Sequence, residues 1–212
     1  MSARPPGPTR WGPGPGPALD LGAVAVLVPV KAFGEAKRRL APALDPAGRA
    51  AVARAMATHV VRAARPLPTA VVCDDREVAA WARSLGALVI WQPEQGLDRA
   101  VEAGVARLGA LGARTVVVAH GDLPHAHHLA AVADHDGVTL VPDRDGDGTP
   151  VLAVPSAAGF RFGYGPGSFA RHRAEAERLG LAVRVLADPA LGADVDLPAH
   201  LPLAAAPGQR RR

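Results

Sequence analysis

The chain has 212 residues, 49% of them hydrophobic and 21% charged, a balance that suits one buried core and excludes a disordered chain. Four of the arginines behind its formal charge of +4 lie at the ends, at Arg4, Arg210, Arg211 and Arg212, and the absence of a basic stripe with interleaved aromatics argues against a nucleic-acid partner. One cysteine, Cys73, excludes an intramolecular disulfide and fits a reducing compartment.

Residues 1–20 are dominated by Pro and Gly and read as a disordered extension. They hold no continuous apolar segment of the kind a signal peptide needs, so the expected location is the cytoplasm. No apolar run approaches the roughly 20 residues of a membrane span. A single domain is expected over residues 21–203, with a flexible basic tail at 204–212.

Within that domain an apolar strand over 23–30 is followed by a basic turn and a helix announced by Asp45 as N-cap and Pro46 at the first position. Short buried strands follow at 69–73, 88–91, 115–119 (TVVVA), 138–141, 151–154 and 183–186. Between them, helical spacing predicts helices over 77–84, 97–111, near Leu129, and over 169–179. Strands apolar on both faces that alternate with helices predict an α/β, doubly wound, mostly parallel sheet. Ligands of such sheets sit at the carboxyl ends of the strands, so the loops after Val30, Cys73, Ala119 and Val154 are the places expected to carry chemistry.

The loop VPVKAFGEAKRRL leaves the first strand with Lys31 and gathers Lys37, Arg38 and Arg39 behind it, cations suited to polyphosphate. A solvated basic loop is the alternative, and the spacing is not that of a P-loop. Asp122 follows the central strand in AHGDLP, where packing alone does not account for a carboxylate. Asp194 and Asp196, two residues apart in GADVDLP, aim to one side of an extended chain and with Asp122 would make an all-oxygen site for Mg²⁺. A surface turn explains that pair equally well.

In FGYGPGSF, Gly163, Gly165 and Gly167 precede Ser168 as an expected N-cap, an arrangement that lets helix amides face an anion. The Asp/Gly-rich DRDGDGT lacks the downstream Glu of a calcium loop. His120, His125, His127 and His128 crowd around Asp122, but a solvated helix face fits them better than zinc, since His127 and His128 diverge and no cysteine is near. Cys73, beside Asp74 and Asp75, is no nucleophile.

The ordered set VPVK, AKRRL, GLDRAV, HGDLP, VPDRDGDGT, FGYGPGSFARHRAEA and ADPALGADVDLP, over about residues 24–201, resembles the phosphoenolpyruvate (or 2-phospholactate) guanylyltransferases of coenzyme F-420 biosynthesis. The resemblance implies a nucleotidyltransferase fold similar to glycosyltransferase A and transfer of GMP from GTP to phosphoenolpyruvate, 2-phospholactate or 3-phosphoglycerate, with release of pyrophosphate. It also implies a downstream transferase that accepts the product. By motif, Asp122, Asp194 and Asp196 would hold Mg²⁺, Thr149, Gly165 and Ser168 would bind the phosphorylated acid, and Lys31 and Lys37 the triphosphate. Asp98 stands where the family's GLNAAV motif has Asn near the nucleotide, histidines follow GDLP, and Pro150 adjoins Thr149. A related sugar-phosphate or molybdopterin nucleotidyltransferase, and a noncatalytic nucleotide-binding regulator, are the competing expectations.

Overall fold

The computed structural model describes residues 21–93, 96–196 and 198–201; the expected N-terminal extension and basic tail lie outside them. Strand β1 (Val24–Pro29) has its four central residues buried and runs parallel to β2 (Thr69–Cys73) on one side and β4 (Thr115–Ala119) on the other. Because successive side chains point to opposite faces, Ala25 and Leu27 join one apolar layer and Val26 and Val28 the other. Helices must cover both layers, and they do. Helices α1 (Pro46–Ala63) and α2 (Arg76–Ser84) contribute Val60 and Val78 to one layer, joined by Leu129 of the short α4 (Leu129–Val132). The other receives Val101 and Leu108 of α3 (Leu97–Ala110) and Ala176 of α5 (Ser168–Arg178).

With β3 (Leu88–Trp91), β5 (Val138–Val141), β6 (Val151–Pro155) and β7 (Val183–Val185), the sheet has seven strands in the order β3-β2-β1-β4-β6-β5-β7. It is mostly parallel, as the alternation of strands and helices predicts; β6 alone runs antiparallel to its neighbours β4 and β5. That reversal corrects one expectation. The loop after Val154 lies at the opposite end of the sheet from the carboxyl ends of β1, β2 and β4, and the start of β6 takes its place: Ala119 pairs with Val151, and His120 N–H donates to Pro150 O at 2.9 Å.

Local chemistry sets the helix boundaries. Asp45 accepts from Gly48 N–H at 2.6 Å with Pro46 in the first turn, and Asp75 caps α2 through Val78 N–H at 2.9 Å. Gly104 lets α3 press onto β1: a Cβ there would lie 2.5 Å from the buried Leu27 side chain. Ser168 is not the N-cap of α5; Gly167, at φ 73°, holds that place and Ser168 is the first helical residue. No helix among the described residues is long and apolar enough to cross a membrane.

Candidate active site

Three carboxylates from two distant stretches meet just beyond β4. Asp122 follows the strand after a two-residue turn, and its backbone carbonyl accepts from Val195 N–H at 3.3 Å. That bond seats the 188–196 segment, which is anchored by the buried side chains of Leu191 and Val195. Asp188 turns the segment by accepting from Ala190 and Leu191 N–H at 2.9 and 3.2 Å. With Val195 buried between them, Asp194 and Asp196 both face Asp122, and one oxygen from each of the three lies within 4.8 Å of the others. The Asp122 oxygen that Lys37 does not contact, Oδ1, is buried without a hydrogen-bond partner among the described residues. An all-oxygen, anionic set with an unsatisfied acceptor can hold a hard divalent cation.

Lys37 is drawn into this cluster rather than out toward solvent. Its Nζ lies 2.6 Å from Asp122 Oδ2 and 2.8 Å from Asp196 Oδ1, and its side chain is only 9% exposed. The backbone turns sharply to place it, at φ 55°. Burial pulls the ammonium pKa down, but the Asp122 and Asp196 charges outweigh this and leave it raised. Burial likewise pushes Asp122 up, and Lys37 with His120 reverses the sign, leaving that carboxyl below its ordinary range. For Asp194, burial and then repulsion from Asp122 and Asp196 raise the carboxyl above its ordinary range. Arg144, from the DRDGDG turn, donates to Asp194 O at 3.1 Å and braces the segment from outside.

The DRDGDG turn is folded around Asp143, whose carboxylate accepts from the N–H groups of Asp145, Asp147 and Gly148 at 3.1, 2.9 and 2.7 Å. It joins the start of α5 directly. Asp147 accepts from Gly167 N–H through its carboxylate at 2.8 Å and from Phe169 N–H through its carbonyl at 2.9 Å, while Ser168 N–H donates to Gly165 O at 3.0 Å. The amides of Gly167, Ser168 and Phe169 at the head of that helix are thus engaged by the chain itself. Thr149 and Ser168 are both buried, at 2% exposure each, and Gly165 stands exposed at φ 102°. Arg171 holds that turn by donating to the carbonyls of Gly163, Tyr164 and Gly165 at 3.0 to 3.3 Å.

Lys31 does not join the carboxylates. It is exposed and borders a narrow cleft of about 80 Å³ formed with Pro29, Val30, Val72, Cys73 and Leu97 at the carboxyl ends of β1 and β2. Asp98 opens α3 beside that cleft and accepts from Tyr164 N–H at 2.8 Å, tying the 163–168 turn to the helix. Burial drives the Cys73 thiol up to about 11, so it is protonated near neutral pH. His127 and His128 precede α4 rather than lying on a helix face, and His127 Nε2 is 3.5 Å from Asp188. His120, by contrast, packs its ring 4.9 Å from Tyr164; burial, followed by the Lys37 charge, lowers its pKa against the pull of Asp122. Reading the histidines as a solvated cluster missed His120; its place one residue past a buried central strand was the available signal. A larger cavity, of about 540 Å³, opens at the other end of the sheet among Glu102, Ser156, Phe160 and Arg161, remote in the fold from the carboxylates.

Residues 24–203 match the protein family described as guanylyl transferase CofC like. A phosphoenolpyruvate guanylyltransferase of Sphaerobacter thermophilus is 34% identical over 184 residues, covering 82% of this chain and 89% of its own. One of Conexibacter woesei is 37% identical over 191 residues, covering 82% and 84%. Among solved structures, a Desulfovibrio desulfuricans G20 protein assigned to the nucleotide-diphospho-sugar transferases aligns at a TM-score of 0.71 with 16% identity, covering 89% of this chain and 88% of its own. The fold is shared with nucleotidyl transferases.

Proposed function

The chain belongs to the guanylyl transferase CofC-like family of nucleotidyltransferases, and on that premise we propose that it transfers GMP from GTP to phosphoenolpyruvate. The products are enolpyruvyl-diphospho-5'-guanosine and pyrophosphate, and the reaction serves coenzyme F-420 biosynthesis. The observation that carries the proposal is the convergence of Asp122, Asp194 and Asp196 within 4.8 Å, at the strand ends where an α/β sheet binds its ligands.

A phosphate oxygen of phosphoenolpyruvate attacks the α-phosphorus of GTP in line, and the bond to the β-phosphate oxygen breaks with its electron pair leaving on pyrophosphate. The attacking oxygen is already anionic, so no residue need act as a general base. Asp122, Asp194 and Asp196 would hold Mg²⁺. Bound there, the ion would supply charge neutralisation between the two anionic reactants. Lys37, already at the same carboxylates, and Lys31, at the mouth of the neighbouring cleft, bind the triphosphate. The apolar walls from Val30, Val72 and Leu97 receive the guanosine, with Asp98 at the first turn of α3 beside it. Thr149, Gly165 and Ser168 hold the acid. A single domain over 21–203 in the cytoplasm, handing its product to a downstream transferase, completes the proposal.

The test is pyrophosphate release by the purified chain with GTP and Mg²⁺ and each of phosphoenolpyruvate, 2-phospho-L-lactate and 3-phosphoglycerate, the product-consuming transferase being present. Release with phosphoenolpyruvate is expected. Release with another acid alone would reassign the acceptor, and GTP binding without release from any would leave a noncatalytic regulator.

A further inference from the structure

An ammonium sits inside the carboxylate cluster. Lys37 Nζ lies 2.6 Å from Asp122 Oδ2 and 2.8 Å from Asp196 Oδ1, and so bridges two of the three residues proposed to hold the cation. The chain adopts an unusual backbone to put it there. Lys37 stands between short helical turns at Phe33–Glu35 and Arg38–Leu40, pinned by the buried side chains of Phe33 and Leu40. It is one of two described non-glycine residues at positive φ, a conformation that persists where the surroundings hold it. Three carboxylates meet at the cluster, so one ammonium does not neutralise them, and Asp122 Oδ1 stays buried without a partner among the described residues.

A buried ammonium and a divalent cation compete for the same carboxylates, and at low effective dielectric their mutual repulsion is large. Lys37 therefore opposes a cation that arrives alone. A triphosphate changes the balance, because it brings anionic oxygens to which the same ammonium can donate. The flexible four-carbon stem of a lysine lets its Nζ turn from one partner to another. Accepting the reaction proposed above, we infer that Lys37 is an internal counter-ion exchanged during binding: its ammonium holds Asp122 and Asp196 together, then passes to the triphosphate as nucleotide and divalent cation take the site together. The exchange makes nucleotide and cation bind cooperatively, and by linkage each raises the other's affinity by the same factor.

Two titrations of the full chain test the exchange: Mn²⁺ alone, read by electron paramagnetic resonance, and GTP with Mg²⁺ but no acceptor acid, read by calorimetry. Lys37→Met keeps a long side chain and removes its charge. With the competing charge gone, this variant should bind Mn²⁺ alone about tenfold more tightly than the wild type. It should bind GTP with Mg²⁺ about tenfold more weakly, since the triphosphate loses a charge-assisted hydrogen bond. Lys37→Arg, which keeps a cation, should bind Mn²⁺ no more tightly than the wild type. Thermal melting shows whether Lys37→Met folds; if it does not, Lys37→Gln, which can still donate to a carboxylate, replaces it in both titrations. Mn²⁺ affinity unchanged or lowered in the charge-free variant would make Lys37 a structural brace and overturn the exchange. Tighter Mn²⁺ binding with unaltered GTP affinity would show that the ammonium does not pass to the triphosphate, and overturns it too. Both of those results leave the proposed reaction standing, whereas a wild-type protein that binds neither Mn²⁺ nor GTP overturns the reaction as well.

Discussion

The two halves of the sheet do different work. From β3 to β4 the strands are all parallel, apolar on both faces, and joined by helices that return each chain to the same edge; this half contributes Asp122, Lys31 and Lys37 from its strand ends. The other half turns β6 over. With that one reversal the start of a strand, rather than its end, reaches the site, bringing Thr149 opposite the turn before Asp122 and allowing the 142–149 turn to brace both Asp194 and the head of α5. The regular half builds the platform, and the irregular half brings the 142–149 turn and the head of α5 up to it.

The largest expected effect comes from separating the junction between the halves. Asp122→Ala or Asp196→Ala should lower pyrophosphate release with GTP, Mg²⁺ and phosphoenolpyruvate by about a thousandfold or more, with circular dichroism unchanged. Near-normal turnover in either variant would mean that the two segments meet for structural reasons only.

Next in size is a pH effect confined to the irregular half. Burial, then the Arg171 charge, lowers the His172 imidazole from its ordinary 6.5 to about 4, and its Nε2 accepts from Gly163 N–H at 3.0 Å. Between those values the unfolded chain binds the proton and the native one does not. The contribution is therefore full above pH 6.5 and lost as the pH falls toward 4, by about 3 kcal/mol. Denaturant titrations at pH 7 and pH 4.5 should show that His172→Gln, which keeps an acceptor and cannot titrate, loses less stability on acidification than the wild type. Parallel losses would place the acid sensitivity elsewhere.

Two smaller effects probe the regular half. Gly104→Ala drives a methyl into Leu27 at the closest approach of α3 to β1 and should cost about 1–3 kcal/mol in denaturant unfolding; an unchanged midpoint would show that the helix shifts without penalty. Asp45→Ala removes the cap on α1 and should cost about 1 kcal/mol with no effect on GTP binding, read by the same titration and by calorimetry.

The regular half was legible in the chain because its signals are local. Apolar runs bounded by turns located β2, β3 and β4 to the residue, and Asp45 with Pro46 located the start of α1. The direction of β6 was not legible, since an apolar run carries no mark of whether it enters the sheet upward or downward. Ser168 was misplaced by one residue because a cap depends on backbone angles that Gly167 adopts more readily. The three aspartates and Lys37 could be named, but not the contact of that ammonium with Asp122 and Asp196, which spans 85 and 159 residues of sequence. The ring contact of His120 with Tyr164 was not legible for the same reason, since it joins the end of β4 to a returning loop.

The central claim is that Asp122, Asp194 and Asp196 form one cation site shared by the two halves. Electron paramagnetic resonance of Mn²⁺ with the wild-type chain and with Asp122→Asn, Asp194→Asn and Asp196→Asn tests it directly. The account predicts bound Mn²⁺ in the wild type, displaced by Mg²⁺ and weakened by each substitution; equal Mn²⁺ binding in all four proteins would contradict it.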